Sequence, residues 1–322
     1  MTKSSERARI ELLRSALQTN LVPGRTLVGI GDDAAVIGPG SERLVWTIDA
    51  QVEGVHFRHD LVSKHDLGYR ATMAAASDLA AMGASPVGIL AALVLPETID
   101  DDDLKAIAHG QAEAASAIGT RIIGGNLARG RELSITTTVL GEAPRPLLRS
   151  GALEGQTVAI AGPLGLAAAG LCLLSQGLAS HLDARSAVVA FQRPTARIAD
   201  GLRARGVASA AIDISDGLVA DVGHIATASG VSVGLFVERL VSAELRRAAA
   251  VAGKDPERLA LYGGEDYALV ITIPEGQTPP GFTPIGRVLS ARGLAPCVGL
   301  LGLSDDDSAL RPLEDAGFDH FS

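Results

Sequence analysis

The spacing of hydrophobic and polar positions along this chain shifts back and forth between helical and strand periods. Ile10, Leu13 and Leu17 fall on one face of a first helix, after which the chain passes through Gly29-Ile-Gly-Asp-Asp33 into short apolar runs at residues 34–37 and 44–48 that read as strands. An alanine-rich helix follows, with Asp66 placed to cap its start, Met82 near its end and Gly83 just beyond. Residues 87–95 form an apolar strand. Four aspartates, Asp100 to Asp103, open a helix that reaches about Ile118, where acids oppose the positive end of the helix dipole. Strands are predicted at 121–123 and 133–140, the second alternating at Leu133, Ile135, Thr137 and Val139 like a half-buried sheet.

The segment 143–146, Ala-Pro-Arg-Pro, reads as a linker, and the alternation then resumes. Strand 157–161, a turn at 162–165 and a helix to 174 are followed by a helix over about 193–205. Strand 210–214 runs into Ser215, and Gly230 closes the helix beyond it. A helix near 242–252 and a strand at 268–273, entered through Gly-Gly-Glu-Asp, complete the pattern. This predicts an α/β protein with mixed sheets in two domains, 1–146 and 147–322. The uncharged stretch from Gln156 to His181 is long enough to span a bilayer, but Pro163 and its neighbouring glycines divide it into strand, turn and helix.

Composition narrows the partners. The 322 residues carry 28 Lys+Arg against 37 Asp+Glu, a formal charge of -9, with 3% aromatics, which disfavours nucleic acid. Cys172 and Cys297 stand alone in apolar surroundings and read as buried, inert thiols. Charges through residues 6–11 interrupt any signal-peptide core, so the expected compartment is the cytoplasm, away from membranes.

The informative residues are acids at the junctions of glycine turns with strands and helices: Asp32-Asp33, Asp49, Asp213, Asp216 and Glu265-Asp266. Any one alone is an ordinary turn or cap residue, Asp216 at a helix start being the plainest case. Asp78 differs, because Ala74, Ala75, Ala81 and Met82 surround it with a buried face where an unpaired carboxylate is costly. Two carboxylates about 4 Å apart repel by roughly 4 kcal/mol at an effective dielectric of about 20. A hard divalent cation would relieve that, and oxygen donors without paired His or Cys point to magnesium, calcium or manganese. His56 and His59 lack the further ligands of a zinc site. No Walker Gly-x-x-x-x-Gly-Lys-Ser/Thr occurs, so phosphates would be held mainly through metal.

Six motifs occur in order: Gly31-Asp-Asp-Ala-Ala35, Asp49-Ala-Gln-Val-Glu-Gly-Val-His-Phe57, Ser77-Asp-Leu-Ala-Ala-Met-Gly-Ala84, Gly124-Gly-Asn126, Asp213-Ile-Ser-Asp-Gly217 and Gly263-Gly-Glu-Asp-Tyr267. Together with the ending Gly317-Phe-Asp-His-Phe321, this set resembles the thiamine-monophosphate kinases, over nearly the whole chain. The resemblance implies an aminoimidazole-ribonucleotide-synthetase-like architecture, with an N-terminal domain that pairs in a homodimer and a C-terminal α/β domain. It implies magnesium on Asp33, Thr47, Asp49, Asp78, Asp213 and Asp216, and ATP on Gly125, Asn126, Arg149 and Ser215. Thiamine monophosphate would meet His56, Glu265 and Phe318, the last by stacking on a flat ring. The chain departs from many relatives at Asn126, where they carry Asp, and at Ala50-Gln51, where Thr-Leu is usual.

The implied reaction is ATP-dependent phosphorylation of thiamine monophosphate to the diphosphate. The acceptor phosphate is already ionised at neutral pH, so direct in-line attack needs no catalytic base and no residue is assigned that role. Two alternatives stand beside it: another ATP-using enzyme of the same superfamily, such as a selenophosphate synthetase or hydrogenase-maturation enzyme, and a non-catalytic nucleotide- or metal-binding relative. The first lacks the expected cysteine chemistry near either terminus.

Overall fold

The structure, a computed structural model, describes residues 26–28, 32–38, 43–291, 293, 295–304, 306 and 309–314. The predicted first helix and Phe318 lie outside the described residues.

The first sheet holds β1 (Thr26–Val28), β2 (Ala35–Ile37), β3 (Arg43–Val52), β4 (Ser85–Leu95), β5 (Ile122–Arg129) and β6 (Ser134–Ala143), in the order β1-β2-β3-β6-β4-β5. All neighbours are antiparallel except β4 and β5, which are joined through helix α2 (Asp101–Ala117). Alternation along β6 is strict, so one face of the sheet is core and the other open. The core face packs on α1 (Lys64–Ala81). The other face leaves Leu44, Trp46, Ile48, Leu90 and Ile123 exposed, Ile48 by 68%.

Helix α1 is the centre of the molecule, buried nearly all round. Its start is fixed by Ser63 rather than Asp66: the Ser63 hydroxyl accepts from Asp66 N, and it donates to the Asp66 carboxylate in a reciprocal cap. The predicted end is observed, with Gly83 in the left-handed region at φ 59°. Against α2 the contact is backbone on backbone. A Cβ on Gly68 would lie 2.0 Å from Ile107 O, and one on Gly110 would lie 1.8 Å from His65 O. Asp100 caps α2 by accepting from Asp102 N and Asp103 N, the capping role predicted for this acidic run.

The second sheet contains β7 (Thr157–Ala161), β8 (Ala210–Ile214), β9 (Val231–Phe236), β10 (Ala268–Ile273), β11 (Thr283–Ser290), β12 (Val298–Leu301) and β13 (Arg311–Pro312). Their order is β13-β12-β9-β11-β7-β10-β8, mixed because β12 runs parallel to β9. Its helices are α3 (Leu166–Ser175), α4 (Arg185–Gln192), α5 (Ile198–Ala204), α6 (Leu218–Ser229), α7 (Ala243–Ala252) and α8 (Pro256–Tyr262). Alternate residues of the central strands face two cores. Val158, Ile160, Ile212 and Val270 meet α3, α6 and α7, whereas Ala159, Ala211, Leu269 and Ile271 pack with Ala81 and Ala204 of α1 and α5. Helix α1 therefore lies between the two sheets and belongs to both.

The helix predicted over 193–205 is shorter, because Pro194 cannot continue a helix and α5 runs only over Ile198–Ala204; α4, which ends at Gln192 before that span, was not predicted. The cysteines are free and half-buried rather than buried. The uncharged stretch is β7, a turn and α3 as expected, and no helix among the described residues is long and apolar enough to cross a membrane.

Candidate active site

A cavity of about 780 Å³ opens where α1, β3, the end of β8, α3, α8 and the segment 263–267 converge. It brings together Asp49, Asp78, Asp213 and Asp216 with Ser215, and places His56 and Glu265 on the same wall system. Thr47 and Asp33 stand directly behind. The Thr47 hydroxyl donates to Asp78 Oδ2, and Asp33 Oδ1 takes both Arg149 Nε at 3.0 Å and Arg149 Nη2 at 2.5 Å. Gly125 and Asn126 lie elsewhere, on edge strand β5, which continues through the Gly-Gly-Asn motif instead of turning there. Gly125 shares a register row with Asp49 through Thr137 and Ala91, three strands away or about 14 Å.

The acids are crowded. Asp33, Asp78 and Asp213 each present a carboxylate oxygen, and all three atoms lie within 4.8 Å of one another. Burial, reinforced by Asp213 and Asp33, holds the Asp78 carboxyl well above the usual range, with the Thr47 hydrogen bond acting the other way. Asp213 is pushed up to about 7, first by burial and then by Asp33. Burial also raises Asp33, although Arg149 opposes the shift, and its second oxygen is buried with no hydrogen-bond partner among the described residues. Hard oxygens, mutual repulsion and an orphaned acceptor together fit a divalent cation such as magnesium.

Two turns lock the far side. Asp221, in the first turn of α6, accepts from the N–H groups of Ser215, Asp216 and Gly217, so Asp221 performs the capping that sequence reasoning gave to Asp216. Glu265 N donates to Ser215 O at 2.7 Å, and Tyr267 N to Ile214 O at 2.8 Å. Glu265 and Tyr267 adopt left-handed φ values of 66° and 47°, strained for residues with a Cβ. Asp266 between them holds the segment by accepting from Gly165 N and Ala167 N at the start of α3. His56 is oriented by Val52 N, which donates to its Nδ1 at 3.1 Å.

Arg70, which the sequence did not single out, and Gln51, marked there only as a departure from relatives, back the wall. Arg70 of α1 is fully buried and pairs with Glu265 Oε1 at 2.5 Å, while Gln51 joins Arg70 to Asp49. For Asp221 the readable signal was an acid one turn into a predicted helix. Arg70 gave none, because a lone arginine in an alanine-rich helix reads as a solvated face.

The fold and this acidic corner define a protein of the AIR synthase related class, and the model of the "AIR synthase related protein, N-terminal domain" family matches residues 31–143. The thiamine-monophosphate kinase of Mycobacterium tuberculosis (strain ATCC 25618 / H37Rv) is 38% identical over 272 residues, 83% of this chain and 80% of that protein. The solved structure of AaThiL complexed with AMPPCP and TMP superposes with a TM-score of 0.87 at 32% identity, covering 98% of this chain and 97% of that one. The Escherichia coli hydrogenase maturation protein HypE, at 22% identity and a TM-score of 0.64 over 85% of this chain and 88% of its own, shares the fold alone. The chain belongs to the thiamine-monophosphate kinase family, a family of phosphoryl-transferring enzymes.

Proposed function

We propose that this enzyme phosphorylates thiamine monophosphate to thiamine diphosphate with ATP and magnesium. The observation that carries the reading is the convergence of Asp49, Asp78, Asp213, Ser215 and Glu265, from motifs scattered over more than two hundred residues, on one cavity with a metal-demanding acid cluster at its base. The AaThiL structure, solved with an ATP analogue and TMP, supports the assignment.

In this reading Asp33, Thr47, Asp49, Asp78, Asp213 and Asp216 hold magnesium. When bound, the metal neutralises phosphate charge and so lowers the repulsion between two anions. Ser215 sits beside the ATP phosphates, and Arg149 is oriented towards the same corner by Asp33. His56 and Glu265 flank thiamine monophosphate, and Phe318 is assigned to the same substrate by family resemblance alone. An oxygen of the acceptor phosphate bonds to the γ-phosphorus in line as the bond to the β–γ bridging oxygen breaks, and the electron pair leaves with ADP. The nucleophile carries no proton at neutral pH, so none of these residues serves as a base.

Gly125 and Asn126 are assigned to ATP by family resemblance, and they stand apart from the cavity in one protomer. The division at 146/147 follows the two sheets. The open face of the first sheet, with Trp46 and Ile48, is the proposed homodimer surface, and the enzyme is placed in the cytoplasm. Ile48→Lys is expected to shift the protein from dimer to monomer in light scattering; an unchanged dimer would move the interface elsewhere.

The primary test is formation of thiamine diphosphate and ADP by purified protein from thiamine monophosphate and ATP, with magnesium and then with chelator. Metal-dependent product is the expected result. ATP binding without product defeats the substrate assignment.

A further inference from the structure

We infer that Arg70 is a positioning residue for the heterocyclic end of the substrate, fixing the Glu265 carboxylate and tying it through Gln51 to Asp49 at the metal end. The inference rests on the reading of Glu265 as a substrate contact.

Arg70 has 0% exposure, in the middle of α1. Two of its guanidinium nitrogens donate hydrogen bonds, and the third forms an ion pair without hydrogen-bond geometry. Nη1 donates to the carbonyl of Phe191, Nε donates to Gln51 Oε1 at 3.2 Å, and Nη2 stands 2.5 Å from Glu265 Oε1. The plane lies 4.5 Å from the centroid of the Phe191 ring. Gln51 in turn donates to Asp49 Oδ2 at 3.5 Å, so a continuous polar chain runs Asp49, Gln51, Arg70, Glu265 along one side of the cavity.

A fully buried cation is costly, and a site needing only volume is better filled by leucine or methionine. Its ion-pair partner is a carboxylate that lines the cavity and keeps 26% of its side chain exposed there. Glu265 is thus held from two directions, by its strained backbone on Ser215 O and by its ion pair with Arg70. Such a carboxylate is aimed before ligand arrives, which suits an amino-substituted, cationic heterocycle and disfavours an anionic or acceptor-only ring. Lysine cannot reproduce this. It lacks the planar fork that reaches Phe191 O, Gln51 and Glu265 at once.

The test is steady-state kinetics on full-length wild type, Arg70→Met, Arg70→Lys and Gln51→Met, varying thiamine monophosphate and ATP separately. Arg70→Met is expected to raise KM for thiamine monophosphate about tenfold or more with KM for ATP within about twofold, and Arg70→Lys to fall between it and wild type. Combining Arg70→Met with Glu265→Gln should cost no more than the worse single change, because both act on one contact. An unchanged KM for thiamine monophosphate, or equal rises for both substrates, overturns the inference and leaves Arg70 as packing. Should Arg70→Met not fold, Gln51→Met carries the test: a rise of about threefold for thiamine monophosphate alone supports the inference, and no rise overturns it. Wild type without turnover removes the functional reading and the inference with it, whereas active wild type with an unaffected Arg70→Met removes the inference only.

Discussion

The two ends of the cavity treat charge in opposite ways. At one end Asp33, Asp78 and Asp213 crowd within 4.8 Å, with Arg149 engaging only Asp33. At the other, Glu265 meets Arg70 at 2.5 Å, and Gln51 and a backbone carbonyl accept from the other two guanidinium nitrogens. The first end is unfinished without a cation from outside; the second is completed by the chain itself. On the proposed reading, a preformed wall beside an acid corner completed by magnesium is an economical arrangement for a kinase.

This contrast can be tested hardest at Asp78. Asp78→Asn should lower kcat by about a thousandfold or more, because it removes charge where the transferring phosphate is neutralised, while raising the melting temperature of metal-free protein by relieving repulsion. Near-normal turnover would remove Asp78 from the metal site. Neutralising the other end should act with the opposite sign on stability. Glu265→Gln leaves Arg70 buried without its anion and should destabilise the fold by about 1–3 kcal/mol in urea unfolding, discounted from a fully buried pair because Glu265 is partly exposed. A stabilised Glu265→Gln would erase the distinction.

The acid end also carries a pH response. Asp213 and Asp78 are raised above the usual carboxylate range in the folded chain, so the folded state binds more protons than the unfolded state between about 4, the ordinary carboxylate value, and about 7, where Asp213 titrates. Stability of metal-free protein should therefore fall as pH rises through that window. Calorimetry is expected to give a melting temperature several degrees lower at pH 8 than at pH 5.5. Magnesium should recover the difference at pH 8, and Asp78→Asn should flatten the slope. The smallest effect is expected from Thr47→Val, which deletes the hydroxyl on Asp78 and should cost about 1 kcal/mol or less, seen as a few-fold weaker magnesium dependence.

Much of this was legible in the sequence, and the reason differs by region. Strands β6, β7, β8 and β10 announced themselves by alternation or by short apolar runs between turns. The acids that meet at the cavity were readable as a set of glycine-turn motifs, although their meeting depends on two sheets sharing one helix, which no local pattern encodes. Strands β9, β11 and β12 went unpredicted because Gly234, Gly286 and Gly299 interrupt their short apolar runs, and α4 because its apolar face is brief. The Ser63 cap was passed over for Asp66, three residues later, where both are good capping residues and only their reciprocal bond distinguishes them. Arg70 was invisible, and Gln51 stood out only as a departure from relatives, for the deeper reason that burial of a polar side chain is a property of the assembled core.

Arg70 and Asp78 stand on the same helix, eight residues apart, a span of about 12 Å at 1.5 Å per residue. Because Gly68 and Gly110 press the backbones of α1 and α2 together, that helix has no room to slide. Under the proposed function the molecule thereby contains a fixed gauge: the distance between the phosphate end and the ring end of the site is set by the pitch of one α-helix. Analogues in which that separation is shortened or lengthened should be rejected by length, even when both of their ends carry the right chemistry.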